Sequence, residues 1–141
     1  MTVRRARAAD WEAILEIHRR AFDPEDVPRL VQELRASSVY VPELSLVAVS
    51  ENRVVGHVMN TWSGLEGSTT RLLQLSPLGE PLLLVEGSPA YYGRFGFVRA
   101  DERGLLPPPE ALYDWAFQVA VLDEQAELPR GRVIYPEPFR R

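Results

Sequence analysis

The feature that most restricts the fold of this chain is a short connection between two apolar segments. The segments "RLLQLSPL" (residues 71–78) and "PLLLVEG" (residues 81–87) are both predicted strands, and only "PLGEP" links them. Parallel neighbouring strands need a crossover of about a dozen residues or more. This link cannot supply one. The two segments therefore form an antiparallel hairpin, form one long bent strand, or are not neighbours.

The hydrophobic pattern of the remaining chain predicts a mixed α/β domain. Apolar residues at helical spacing predict one helix after Asp10, which is placed to cap it, and a second helix that starts near Pro28. Alternating residues predict two strands, "ELSLVAVS" and "RVVGHVMNTW", with Glu51-Asn52 as the turn between them. Further strands are predicted at "TVRRAR", "GFVRA", "FQVAVL" and "GRVIYP", and a proline-rich loop at "GLLPPPEALY".

Composition excludes several classes of function. The chain has 141 residues, no cysteine and a net charge of −4, and all sixteen of its basic residues are arginine. Without cysteine and lysine, neither a thiol-linked intermediate nor a lysine Schiff base can form. The negative charge argues against nucleic acid as a partner. No apolar run is long enough to cross a membrane, and we expect a cytoplasmic location with no membrane partner.

The segment "SPAYYGRFGF" (Ser88 to Phe97) carries the most distinctive chemistry. Ser88 and Pro89 are typical of the cap and first turn of a short helix. Tyr91 and Tyr92 add two phenol groups to it. The two histidines, by contrast, lie in separate predicted elements with no carboxylate at ligand spacing, so no metal site is predicted. For both histidines, packing is the favoured interpretation.

The chain resembles the GNAT superfamily of acyl-CoA N-acyltransferases along nearly its whole length. The resemblance rests on "VRRARAADWEAILEIHRRAF", "LSLVAVSENRVVGHV", "LLQLSPL", "GRVIYPEPF" and above all "SPAYYGRFGF". It implies a GNAT-like fold in which a mixed, mostly antiparallel sheet is flanked by helices. It also implies transfer of an acetyl group from acetyl-CoA to the amine of a small-molecule or peptide acceptor. We interpret residues 1–141 as a single domain with an N-terminal part, 1–78, and a C-terminal part, 79–141.

The resemblance implies roles for individual residues. Tyr92 corresponds to the tyrosine that protonates the departing thiolate of coenzyme A. Backbone groups of Leu75, Ser76 and Leu78 would contact the pantetheine arm or polarise the thioester carbonyl. Arg94 could contact the cofactor. Glu86 ends an apolar strand beside the tyrosine helix, so it is our candidate for the general base that takes the amine proton.

One family element is missing from this sequence. Family members have a glycine-rich loop and a long helix between the two strands, and these bind the pyrophosphate of coenzyme A. Here Leu78 is followed directly by "GEPLLLVEG", so the central crossover helix is absent too. We therefore expect impaired cofactor binding and impaired activity. The alternative is a non-catalytic GNAT-derived domain that binds a ligand or partner. Strands uncovered by the missing helix also suggest a homodimer.

Overall fold

The computed structural model describes residues 1–68, 71–73 and 81–140. The chain divides into two compact units, Met1–Thr61 and Trp62–Arg141. The helices are α1 (Trp11–Ala21), α2 (Asp26–Ala36) and α3 (Pro89–Tyr92). The strands are β1 (Thr2–Arg5), β2 (Leu46–Ser50), β3 (Arg53–Val58), β4 (Trp62–Leu65), β5 (Arg71–Leu73), β6 (Leu82–Glu86), β7 (Val98–Arg99), β8 (Leu105–Leu106), β9 (Phe117–Val121) and β10 (Gly131–Ile134).

The first unit is an antiparallel sheet of order β1-β2-β3 that packs with α1 and α2. Its core is formed by Trp11 and Ile14 of α1, Val31 of α2 and Val47 of β2. β2 and β3 form the predicted hairpin. Both turn residues have positive φ, 49° at Glu51 and 60° at Asn52, as a tight two-residue hairpin turn requires.

Asp10 precedes α1 as predicted, but its carboxylate does not cap that helix. It accepts a hydrogen bond from the Arg7 backbone N–H at 2.7 Å and pairs with both terminal nitrogens of the Arg4 guanidinium at 2.7 and 2.9 Å. These hydrogen bonds, led by those from Arg4, lower the pKa of Asp10 to about 2. The carboxylate thus links β1 to the start of α1. The prediction that Asp10 immediately precedes the helix was right, but the prediction that it caps the helix was wrong.

The second unit contains two sheets, of order β5-β4-β10-β8 and β6-β9-β7. Among the described residues of this unit, the pairings are antiparallel except that between β10 and β8. Its main core includes Leu72, Leu84, Phe117 and Val133. The first three residues of β6 are all buried. This agrees with the sequence, where a continuous apolar run predicted a strand that is covered on both faces. The mixed, mostly antiparallel α/β class predicted from the sequence is confirmed.

The described parts of the two apolar segments do not pair with each other. β5 pairs with β4, and β6 pairs with β9, so the two strands belong to different sheets. A hairpin between residues 71–73 and 82–86 is therefore excluded. Leu72 and Leu82 nevertheless lie in one hydrophobic cluster. The connection itself, with Leu75, Ser76 and Leu78, lies outside the described residues.

Two other strand predictions needed correction. The predicted strand at residues 53–62 is interrupted after Val58, and β4 begins at Trp62. At the break, the buried Asn60 side chain donates a hydrogen bond from Nδ2 to the Leu44 carbonyl at 2.9 Å. The proline-rich segment, predicted as loop, contains the short strand β8, which pairs with β10.

Within the described residues, no helix is long and apolar enough to cross a membrane.

We expect Leu84→Ala to lower the free energy of unfolding by about 2–5 kcal/mol, because it removes a buried side chain and leaves a cavity. Urea unfolding followed by circular dichroism measures the change. Leu106→Ala is the matched control, since Leu106 in β8 is exposed, and its effect should stay within about 0.5 kcal/mol. Equal effects of the two variants would contradict the described core.

Candidate functional site

The tyrosine segment forms a short helix directly after β6. The carbonyl of Ser88 accepts hydrogen bonds from the backbone N–H groups of Tyr91 and Tyr92, at 3.0 and 2.9 Å, which close the single turn of α3. Ser88 occupies the predicted cap position, although its side chain forms no capping hydrogen bond. The chain then turns out of the segment at Gly96, whose φ of +86° favours glycine.

The ring of Tyr92 packs directly on the backbone of Gly87. A β-carbon built on Gly87 would lie 2.4 Å from Cε2 of Tyr92, so only glycine permits this contact. Phe97 meets the ring edge-on, with centroids 5.5 Å apart. The ring is half-buried, and its hydroxyl makes no hydrogen bond to any residue in the described ranges. Tyr92 therefore has a fixed ring and a phenol group that no described residue engages.

Glu86, the last residue of β6, is held at both oxygens. Oε1 accepts a hydrogen bond from the Leu112 backbone N–H at 2.7 Å, and Oε2 accepts one from the Tyr135 hydroxyl at 2.6 Å. Burial, followed by the hydrogen bond to Glu86, raises the pKa of Tyr135 well above its usual range. Tyr135 therefore stays a neutral donor at physiological pH and orients the carboxylate.

A buried amide reinforces the same region. The Gly87 backbone N–H donates to the Ala116 carbonyl at 2.9 Å. Gln118 in β9, only 1% exposed, donates from Nε2 to the Gly87 carbonyl at 2.9 Å and, less closely, to the Ala116 carbonyl at 3.4 Å. The sequence analysis missed Gln118 and Tyr135. Gln118 is the single polar residue inside the apolar run "FQVAVL". Because a buried amide needs hydrogen-bond partners, this position could have been predicted to form structural hydrogen bonds.

Arg94, predicted to contact the cofactor, folds back onto its own segment. Its Nε donates to the Tyr91 carbonyl at 3.2 Å, and its guanidinium lies 4.8 Å from the Tyr91 ring centroid and 5.7 Å from that of Phe95. The side chain is exposed. The predicted cofactor contacts of Leu75, Ser76 and Leu78 lie outside the described residues. Of the two predicted catalytic residues, Glu86 contacts Tyr135, which belongs to the main core of the second unit, while Tyr92 packs against a separate cluster of Leu83, Phe97 and Ala120.

In the first unit, the structure pairs the two histidines that the sequence placed in separate elements. Nε2 of His18 lies 2.9 Å from Nδ1 of His57, and Nε2 of His57 lies 3.1 Å from Oγ of the buried Ser45. Trp11 meets the His57 ring edge-on, and Phe22 stacks on the His18 ring. The Ser45–His57–His18 chain ends at Nδ1 of His18, which is buried and has no hydrogen-bond partner among the residues that the structure describes.

This environment keeps both rings neutral. Burial, with a smaller repulsion from His18, lowers the pKa of His57 to about 4, and burial also lowers the pKa of His18. Two adjacent imidazoles in an apolar setting cannot both ionise without a large cost. No group of three or more potential metal-binding side chains occurs in the part of the chain that the structure describes.

Comparison with solved structures identifies the class of fold. Over 99% of this chain and 92% of the other, the structure superposes with a TM-score of 0.84 on the GNAT family N-acetyltransferase YhbS from Escherichia coli in complex with CoA, at 25% sequence identity. A GNAT family acetyltransferase from Brucella melitensis in complex with acetyl-CoA matches with a TM-score of 0.70 at 21% identity, over 98% of this chain and 97% of that one.

The chain therefore has the fold of the GNAT family N-acetyltransferases over nearly its entire length, and the resemblance seen in the sequence is confirmed. No family model matches the sequence. No curated protein matches it either.

We expect Gly87→Ala to displace the Tyr92 ring, because the added β-carbon would overlap it. The variant should lose about 1–3 kcal/mol of unfolding free energy and shift the NMR resonances of the Tyr92 ring. Gly93→Ala is the matched control. Gly93 has helical backbone angles and open space at its β-carbon, so this variant should be neutral or slightly stabilising. Unchanged Tyr92 resonances in Gly87→Ala would contradict the described contact.

The pKa of His57 makes the stability of the first unit depend on pH. The pKa falls from 6.5 in the unfolded chain to about 4 in the folded protein, so only the unfolded chain takes up this proton between those values. Stability should be constant above pH 7 and fall between pH 6.5 and 4. The loss should be about 1–2 kcal/mol once partial solvent screening is allowed for.

Urea unfolding at a series of pH values, monitored by the NMR signals of the first unit, measures this loss. His57→Gln, which has no titrating group at this position, should flatten the profile between pH 6.5 and 4. An unchanged slope in that variant would show that other groups cause the loss.

Proposed function

We propose that this protein transfers an acetyl group from acetyl-CoA to an acceptor amine. The proposal is based on Tyr92. Its ring is fixed against Gly87 at the end of β6, and no described residue engages its hydroxyl group. The fold supports it, since a solved N-acetyltransferase in complex with CoA shares that fold at 25% identity over 99% of this chain.

The proposed chemistry needs one base and one acid. The amine nitrogen attacks the thioester carbonyl carbon, a C–N bond forms and the C–S bond breaks. The surplus proton on nitrogen passes to the Glu86 carboxylate, directly or through one water. Tyr92 gives its hydroxyl proton to the departing thiolate as a general acid. The products are an amide and coenzyme A as the free thiol, and return of the proton from Glu86 to the Tyr92 phenolate through solvent restores both side chains.

The surroundings of Glu86 suit a base that must keep its position. One hydrogen bond to each oxygen fixes the carboxylate, and each oxygen keeps a lone pair for an incoming proton. Neutral Tyr135 supplies orientation without adding charge. The same two hydrogen bonds also make Glu86 a structural anchor. A test must therefore separate the loss of a base from the loss of a contact.

The described residues fit the acyl end of acetyl-CoA better than its nucleotide end. β5 and β6 lie at the edges of different sheets, so backbone groups on one edge of each strand are free of ladder hydrogen bonds in the described residues. Such edges can bind the amides of a pantetheine arm. The sequence, however, contains no glycine-rich loop between these strands. We therefore propose weak binding of the diphosphate, with impaired turnover as its consequence.

The alternative is a GNAT-derived domain that binds a ligand or partner without catalysis. The missing glycine-rich loop favours it, because losing several charge-assisted hydrogen bonds of about 1.5–3 kcal/mol each weakens a cofactor by orders of magnitude. Calorimetric titration with coenzyme A separates the two functions. Heat of binding at micromolar to low millimolar coenzyme A supports acetyl transfer. No heat at several millimolar coenzyme A supports the non-catalytic binding domain.

We also propose a homodimer, because the missing helix would leave strands uncovered. Light scattering across a range of protein concentrations tests it, and a monomer at every concentration would contradict it.

We expect Tyr92→Phe to lower kcat at least about 100-fold, because general acid catalysis typically contributes two or more orders of magnitude. The neighbouring Tyr91→Phe is the matched control and should remain close to wild type. Coenzyme A release measured with a thiol reagent reports both. The free thiol of the product can be detected without interference, because the chain has no cysteine. Equal activity of the two variants would contradict the role of Tyr92.

Glu86→Gln tests the base without removing the anchor. The amide oxygen can still accept from the Leu112 N–H, and the amide NH₂ can donate to the Tyr135 oxygen. The variant should keep wild-type stability and lose at least about 100-fold in kcat. Full activity in a stable Glu86→Gln variant would show that another group takes the amine proton.

A further inference from the structure

Each end of the segment Leu112–Ala116 is hydrogen-bonded to one of two consecutive residues, Glu86 and Gly87. The Leu112 N–H donates to Glu86, and the Ala116 carbonyl accepts from the Gly87 N–H. The buried Gln118 amide bridges Ala116 and Gly87 from the other side. The segment thus lies beside the Glu86–Gly87 step, and the ring of Tyr92 contacts the same glycine.

Between these two fixed ends the segment presents apolar side chains to solvent. Leu112 is 82% exposed, Tyr113 58% and Trp115 50%. The Tyr113 and Trp115 rings stack, with centroids 5.2 Å apart and planes 25° apart. Three large apolar side chains in four residues form an exposed patch that folding alone does not explain, since each would be better covered. A stacked aromatic pair also offers ring faces to a ligand.

The charges on this segment have one sign. Asp114 lies within it and Glu110 just before it, and residues 107–117 contain no arginine. Glu110 acts electrostatically on Tyr135, the residue that donates to Glu86. Arg99 pairs with Asp101 and also interacts electrostatically with Asp114, and Arg132 donates to the Pro107 carbonyl. The surface is therefore aromatic, with the Glu110 and Asp114 carboxylates beside it and Arg99 interacting with Asp114.

We infer that Leu112, Tyr113 and Trp115 form the surface that selects the acceptor, and that the acceptor is a small primary amine with an aromatic or aliphatic body. This inference rests on the proposed function and adds the class of substrate to it. An ammonium group is attracted by the faces of tyrosine and tryptophan and by neighbouring carboxylates. The apolar body of the amine would cover the exposed side chains, and the small extent of the patch matches one ring or a short alkyl chain.

Binding to the full-length protein without acetyl-CoA tests the inference independently of turnover. The probe is 2-phenylethylamine, and its binding is followed by NMR. Trp115→Ala should weaken the binding at least about fivefold, because it removes half of the stacked pair. Leu122→Ala, which truncates an exposed leucine outside the segment, should leave the affinity within about twofold. The neutral analogue 2-phenylethanol and the polar amine ethanolamine should each bind at least about fivefold more weakly than the probe.

Equal affinity of Trp115→Ala and Leu122→Ala for 2-phenylethylamine would overturn the inference. Tighter binding of 2-phenylethanol would overturn the preference for an ammonium group. Much tighter binding of a peptide with an N-terminal phenylalanine would overturn the assignment to a small molecule. Acetylation assays with the same amines keep the two proposals apart. If the amines bind as described but none is acetylated, only the proposed function is contradicted. If an amine is acetylated with a KM that Trp115→Ala does not change, only the assignment of the acceptor surface is contradicted.

Discussion

The candidate site depends on the hydrogen bonds that converge on the Glu86–Gly87 step at the end of β6. Glu86 joins Tyr135 to the N–H of Leu112, and Gly87 joins β6 to Ala116. These contacts bring residues far apart in sequence to one place without using any charge pair. A glycine stands here because the absence of a β-carbon lets the Tyr92 ring approach the backbone closely.

Elements with strong local signals were predictable from the sequence. Helical spacing of apolar residues predicted α1 and α2, and a continuous apolar run predicted the buried strand β6. Two alternating segments separated by only Glu51 and Asn52 predicted the hairpin turn between β2 and β3. The single turn of α3 followed from Ser88 and Pro89, which favour a helix start. In each case the decisive interaction lies within a few residues, which is the range over which propensity and periodicity act.

Contacts between distant residues were not predictable in the same way. His18 and His57 are 39 residues apart, and Glu86 and Tyr135 are 49 apart, so no spacing rule connects them. β8 is only two residues long and exists because β10 pairs with it, which overrides the loop signal of the neighbouring prolines. Asp10 had the residue type of a helix cap, but Arg4 offered its carboxylate two charge-assisted hydrogen bonds instead.

The central claim is that this chain holds the acyl end of its donor and has little hold on the nucleotide end. Calorimetric comparison of acetyl-CoA with S-acetylpantetheine, which lacks the diphosphate and nucleotide, tests it most directly. The account predicts measurable binding of both, with dissociation constants within about tenfold of each other, because a tenfold ratio corresponds to less than one charge-assisted hydrogen bond. Binding of acetyl-CoA about a thousandfold tighter than S-acetylpantetheine would contradict it.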